Sequence, residues 1–125
     1  ESYNASPASM NACIDYFENF EVNQGQKKLI IIGEMLELGQ LSQKHHRYII
    51  SKVIKSSIDM IIFCGDIYKT VLTKQNLKSQ NIFYFDEELN ILKFLNDNIL
   101  KNDIILAKGS NSSRVNKLVN LLLET

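Results

Sequence analysis

Hydrophobic and polar positions along the chain alternate between two periods. Residues 7–20 place Met10, Cys13, Ile14, Phe17 and Phe20 at helical spacing, with Ser6 able to cap and Pro7 suited to the first helical position. Residues 28–33 (KLIIIG) then form an unbroken β-branched run, the signature of a strand buried on both faces. Helical spacing returns over 41–58 through Tyr48, Ile49, Lys52, Val53 and Ser56, and a second buried strand follows at 60–65 (MIIFCG). The alternation continues with a helix over 66–77, a strand at 81–85 (NIFYF), a periodic helix over 87–100, a strand at 103–107 (DIILA) and an amphipathic helix over 112–123. Strands separated by helices of this length run parallel, joined by right-handed crossovers that bury both sheet faces. The expected fold is a small doubly wound α/β domain, Rossmann-like, with a mostly parallel sheet and helices on both faces.

That order collects chemistry on one edge. The four predicted strands end in Gly33-Glu34, Gly65-Asp66, Asp86-Glu87 and Lys108-Gly109-Ser110. In open parallel sheets, ligands bind outside the carboxyl ends of the strands. Glycine there lets backbone approach a ligand and adopt positive φ, although at any single position the turn itself accounts for it equally well.

Composition narrows the classes of function. The chain has 125 residues, about one domain, and its 14 basic and 14 acidic residues cancel. That balance argues against a phosphate-neutralising nucleic-acid binder. With 45% hydrophobic residues it has the apolar mass for one core. No apolar run approaches the roughly 18–20 residues of a membrane span, and the first residues read as no signal peptide. Cys13 and Cys64 stand apart in no metal-ligand or redox spacing, which suits a reducing cytoplasm. The phosphate-loop pattern GxxxxGK[ST] and the dinucleotide pattern GxGxxG are both missing. His45 and His46 are adjacent, so their rings diverge on a helix and cannot chelate one ion together; no metal site is expected. On the residues alone, the chain is a ligand-binding α/β domain.

Three segments add a family resemblance. The opening string, Glu1-Ser2-Tyr3-Asn4-Ala5-Ser6-Pro7-Ala8-Ser9-Met10, resembles the D-x-Y-N-A-N-P-x-S-M segment that begins the C-terminal domain of the Mur ligases, in the branch that adds D-alanyl-D-alanine. Residues 32–39 (IGEMLELG) with His46 look like that branch's L-G-D-M-L-E-L-G…H stretch, and residues 107–110 (AKGS) with Arg114 like its V-K-G-S-x-x-x-R. The three occur in the family's order and cover nearly the whole chain. Glu1 and Glu34 stand where the family has aspartate, and Ser6 where it has asparagine.

The resemblance implies the C-terminal domain, residues 1–125, of an ATP-dependent, amide-forming ligase of peptidoglycan precursor synthesis. It implies cytoplasmic, monomeric enzyme partnered by ATP, D-Ala-D-Ala and UDP-muramoyl tripeptide, with neither nucleic acid nor membrane. ATP and Mg2+ are held mainly by a central domain, and the UDP-sugar by an N-terminal one. Neither domain is in this sequence, so no turnover is expected from the chain alone, and no catalytic residue is assigned within it. Glu1, Tyr3 and Asn4 fall at ATP-binding positions. Glu34, His46, Lys108, Gly109, Ser110 and Arg114 fall at the D-Ala-D-Ala site. For Glu34 a plain helix N-terminal charge, and for His46 a satisfied buried ring, are the competing readings. A related Mur-type or folylpolyglutamate-type ligase adding another amino acid is the nearest alternative, and a free-standing nucleotide-binding module comes next.

Overall fold

The computed structural model describes residues 6–74, 81–98 and 103–109. The chain opens with helix α1 (Pro7–Asn19), whose start is fixed locally. Ser6, in extended conformation, accepts the Ser9 N–H at 3.1 Å and donates its own N–H to the Ser9 hydroxyl at 2.9 Å, a reciprocal capping box ahead of Pro7. Strand β1 (Lys28–Ile32) follows and is buried at every position. A loop and a 3-10 turn (Gly39–Leu41) lead into α2 (Ser42–Ile54), then β2 (Met60–Cys64), α3 (Asp66–Lys74), β3 (Ile82–Phe85), α4 (Glu88–Asn98) and β4 (Ile104–Lys108). The expected final helix, 112–123, lies outside the described residues.

All strand pairs are parallel and the sheet order is β3-β2-β1-β4. The doubly wound expectation therefore holds. The chain steps from β1 to β2 to β3 in one direction. It then returns past two strands to lay β4 on the other side of β1. Right-handed crossovers put the helices of the two directions on opposite faces. The core divides accordingly. Met10, Ile14 and Phe17 of α1, Ile49, Ile50 and Val53 of α2, and Tyr68 and Val71 of α3 pack on Ile30, Ile32, Ile61 and Phe63. Ile91 and Leu95 of α4 pack on Leu29, Ile31, Ile62 and Cys64 of the opposite face.

The edge at the amino ends of the strands is tied by the chain's own polar groups. Asp59 accepts the Lys28 N–H at 2.8 Å, and Asp103 accepts the Lys27 N–H at 3.1 Å. The buried Lys28 ammonium donates to the carbonyls of Phe17 at 2.9 Å and Glu18 at 2.7 Å. It thereby satisfies the open C-terminal end of α1.

Candidate functional site

The reversal of strand order falls between β1 and β4, so the crevice at their carboxyl ends is where a doubly wound sheet receives ligands. The ladder runs one residue past β1 there: the Gly33 N–H donates to the Lys108 carbonyl at 2.7 Å. That bond sets Gly33-Glu34 beside Lys108-Gly109. The structure thus brings together three of the predicted positions, Glu34, Lys108 and Gly109.

Glu34 is half-buried, and its carboxylate lies over the start of α3, accepting the Ile67 N–H at 3.4 Å. Gly65 makes this approach possible. Its φ is 127°, and a Cβ on it would fall on the Glu34 Cγ and Cδ. Lys108 is half-buried and Gly109 buried. The Lys108 ammonium lies near enough to Cys13 of α1 to offset part of the burial that pushes that thiol's pKa up.

His46 sits differently from its predicted role. The ring is completely buried and both nitrogens are engaged within the chain. The Met35 N–H donates to Nε2 at 3.0 Å, which leaves the proton on Nδ1, donated to the Ser42 carbonyl at 2.7 Å. Burial holds the imidazole below its usual pKa, a shift partly opposed by the Ser42 carbonyl and the Glu34 charge. The expectation that His46 touches a ligand is corrected: no ring atom is exposed, and its contact is with the loop backbone. His45, one residue earlier, points elsewhere, into a cavity of about 370 Å³ lined also by Pro7, Ala8, Asn11, Lys44 and Tyr48. The divergence of the two histidines is as expected.

Tyr68 is the residue that sequence reasoning missed. It is completely buried, its hydroxyl donates to the Gly33 carbonyl at 3.0 Å, and its ring meets His46 edge-on at 4.9 Å. Burial, with the Glu34 charge adding, raises its pKa well above the ordinary phenol value. The same loop holds Glu37 at φ 64°, a left-handed conformation uncommon outside glycine. The sequence signal for Tyr68 was its place in the third turn-to-helix segment, two residues after Gly65-Asp66.

Glu1, Tyr3, Asn4, Ser110 and Arg114 lie outside the described residues. Among the described residues no group of three or more His, Cys, Asp or Glu side chains could hold a metal ion. No described helix is long and apolar enough to cross a membrane.

Residues 2–111 match the family described as Mur ligase, glutamate ligase domain. A curated relative from Bacillus subtilis (strain 168), UDP-N-acetylmuramoyl-tripeptide--D-alanyl-D-alanine ligase, is 29% identical over 127 residues, covering 100% of this chain and 27% of its own length. The crystal structure of MurF from Acinetobacter baumannii superposes with a TM-score of 0.80 at 26% identity, covering 99% of this chain and 27% of that one. The MurF ligase of Thermotoga maritima in complex with ADP shares the fold, with a TM-score of 0.76 at 24% identity over 98% of this chain and 27% of that one. The chain therefore spans about a quarter of the length of the relatives it matches. The matched family and the order of the parallel sheet agree, and the chain belongs to the Mur ligases as their C-terminal domain.

Proposed function

We propose that this domain forms the amine-binding wall of a cytoplasmic, ATP-dependent ligase that joins D-Ala-D-Ala to UDP-N-acetylmuramoyl-tripeptide. The observation that carries the reading is the pairing of Gly33 with Lys108, which brings the backbone of Glu34 next to that of Lys108 at the switch point of a Mur ligase C-terminal domain. The dipeptide arrives as a zwitterion. Glu34 faces its ammonium and Lys108 its carboxylate, with Gly109 letting backbone approach and Ser110 and Arg114 completing the anion site. Opposite charges held this way orient the amine toward the cleft.

In the reaction, ATP phosphorylates the tripeptide carboxylate to an acyl phosphate. The dipeptide amine attacks the acyl carbon, a C–N bond forms, the C–O bond to phosphate breaks, and the amine's surplus protons pass to solvent. Positioning and charge stabilisation supply most of the acceleration in such phosphoryl chemistry. Mg2+ supplies charge neutralisation when bound, and its ligands belong to the central domain. Glu1, Tyr3 and Asn4 would meet the ribose and adenine of ATP as that domain closes. The working unit is a monomer in which central and N-terminal domains of the same polypeptide form the remaining walls.

In the complete ligase, Lys108→Ala should raise the KM for D-Ala-D-Ala about tenfold or more, the scale of losing a charged hydrogen bond. The KM for ATP should hold. Phosphate release that is indifferent to D-Ala-D-Ala, or a change confined to the nucleotide KM, would overturn the assignment.

A further inference from the structure

The loop between β1 and α2 carries Glu34, and its backbone is held by side chains from two other elements. The Gly33 carbonyl receives the Tyr68 hydroxyl of α3 at 3.0 Å, while the Met35 N–H is taken by His46 of α2 at 3.0 Å. The two rings touch each other edge-on, and the Tyr68 ring also lies 5.0 Å from that of Phe63 in β2. The Gly33 peptide nitrogen is already committed to the Lys108 carbonyl. The residue preceding Glu34 is therefore fixed at both its N–H and its C=O, and the residue following at its N–H. Two residues beyond Met35 the backbone turns left-handed at Glu37, a conformation that persists only where neighbouring contacts over-determine it.

We infer that Tyr68 is a positioning residue for amine capture: its hydroxyl on the Gly33 carbonyl and its ring against His46 set the direction in which Glu34 presents its carboxylate at the carboxyl edge of the sheet. The inference rests on the proposed function and names a residue outside the ligand site that governs it. A phenylalanine would fill the same core volume. The hydroxyl is what reaches the peptide that joins Gly33 to Glu34, so its effect belongs to the direction of Glu34 rather than to packing.

The test uses the complete ligase. Tyr68→Phe should raise the KM for D-Ala-D-Ala about three- to tenfold, the fold-change of one net hydrogen bond, and leave the KM for ATP unchanged and kcat within about twofold. On a Glu34→Gln background the same substitution should add less than about twofold, because groups acting through one another are non-additive. His46→Asn, which withdraws the acceptor from Met35, is the second variant and should reproduce the rise in KM. A lowered thermal midpoint with an unchanged dipeptide KM assigns Tyr68 to the core alone and overturns the inference. Full additivity with Glu34→Gln overturns it too. If the parent enzyme shows no D-Ala-D-Ala-dependent phosphate release, the functional reading fails instead. The amide shifts of Gly33, Glu34 and Met35 in Tyr68→Phe then decide the positioning role, and unmoved shifts refute it.

Discussion

Gly65→Ala strikes the contact between the β2–α3 turn and Glu34 from both sides. The residue has φ 127°, and its missing Cβ is the space occupied by the Glu34 side chain. Holding an alanine in that backbone region costs about 1–3 kcal/mol. The Glu34 side chain must also swing away and surrender its bond from the Ile67 N–H, worth about 1 kcal/mol. The sum, about 2–4 kcal/mol, is a large share of the roughly 5–15 kcal/mol that stabilises a domain. Urea unfolding of the chain should show it as a lowered midpoint at constant slope. Glu34→Ala removes the Cγ and with it the collision. In that background Gly65→Ala should cost only the backbone part, leaving a coupling of about 1 kcal/mol. A cost below about 0.5 kcal/mol, or the same cost in both backgrounds, would refute the contact and the loop geometry built on it.

Two further outcomes follow from buried polar groups. Lys28→Met keeps the aliphatic stem but removes the donor to the Glu18 carbonyl and leaves the Phe17 carbonyl the Phe20 N–H at 3.2 Å; stability should fall by about 1–3 kcal/mol, read as a loss of about 4–11 °C in thermal midpoint. A midpoint equal to the parent's would show that water satisfies the end of α1. His46 has its folded pKa lowered by burial, so its contribution is full above the unfolded value of about 6.5 and is lost as pH falls through that value toward the folded one. Urea midpoints should decline between about pH 7.5 and 5.5, before carboxylates titrate, and His46→Gln should flatten that slope. A slope identical in the variant assigns it to other groups.

The sheet was legible because its strands are apolar runs separated by periodic helices, and parallel pairing follows from that spacing alone. Helix ends were less so. The 41–58 pattern stops as a helix at Ile54 because the Ser56 hydroxyl bonds back to the Val53 carbonyl at 2.6 Å and then receives the Ile58 N–H at 3.3 Å. Apolar periodicity cannot see a serine doing this. The placement of Glu34, Lys108 and Gly109 on one sheet edge was legible because strand ends were. His46 was misread because a motif position says nothing of which way a ring points. The spacing did hold the answer: 46, 49, 50 and 53 form one helical face, all buried. Tyr68 was hidden for the complementary reason, since an aromatic on a short amphipathic helix reads as packing, and its hydroxyl partner is 35 residues away.

The two edges of the sheet use their polar groups in opposite ways. At the amino edge, charges brace backbone: Asp59 and Asp103 bind strand N–H groups, and the Lys28 ammonium binds helix carbonyls. At the carboxyl edge, the loop backbone is held by a phenol and an imidazole, both neutral in the forms that burial favours. Among the described residues the charged brace there is the Ile67 N–H to Glu34 contact, at 3.4 Å long for a bond to a carboxylate. A neutral brace adds no net charge at the carboxyl edge. A protonated His46 would add one, and would also lose the lone pair that receives Met35. Keeping that pair uncharged is thus a condition for the loop's shape, and through it for the direction of Glu34 on which the proposed amine capture depends.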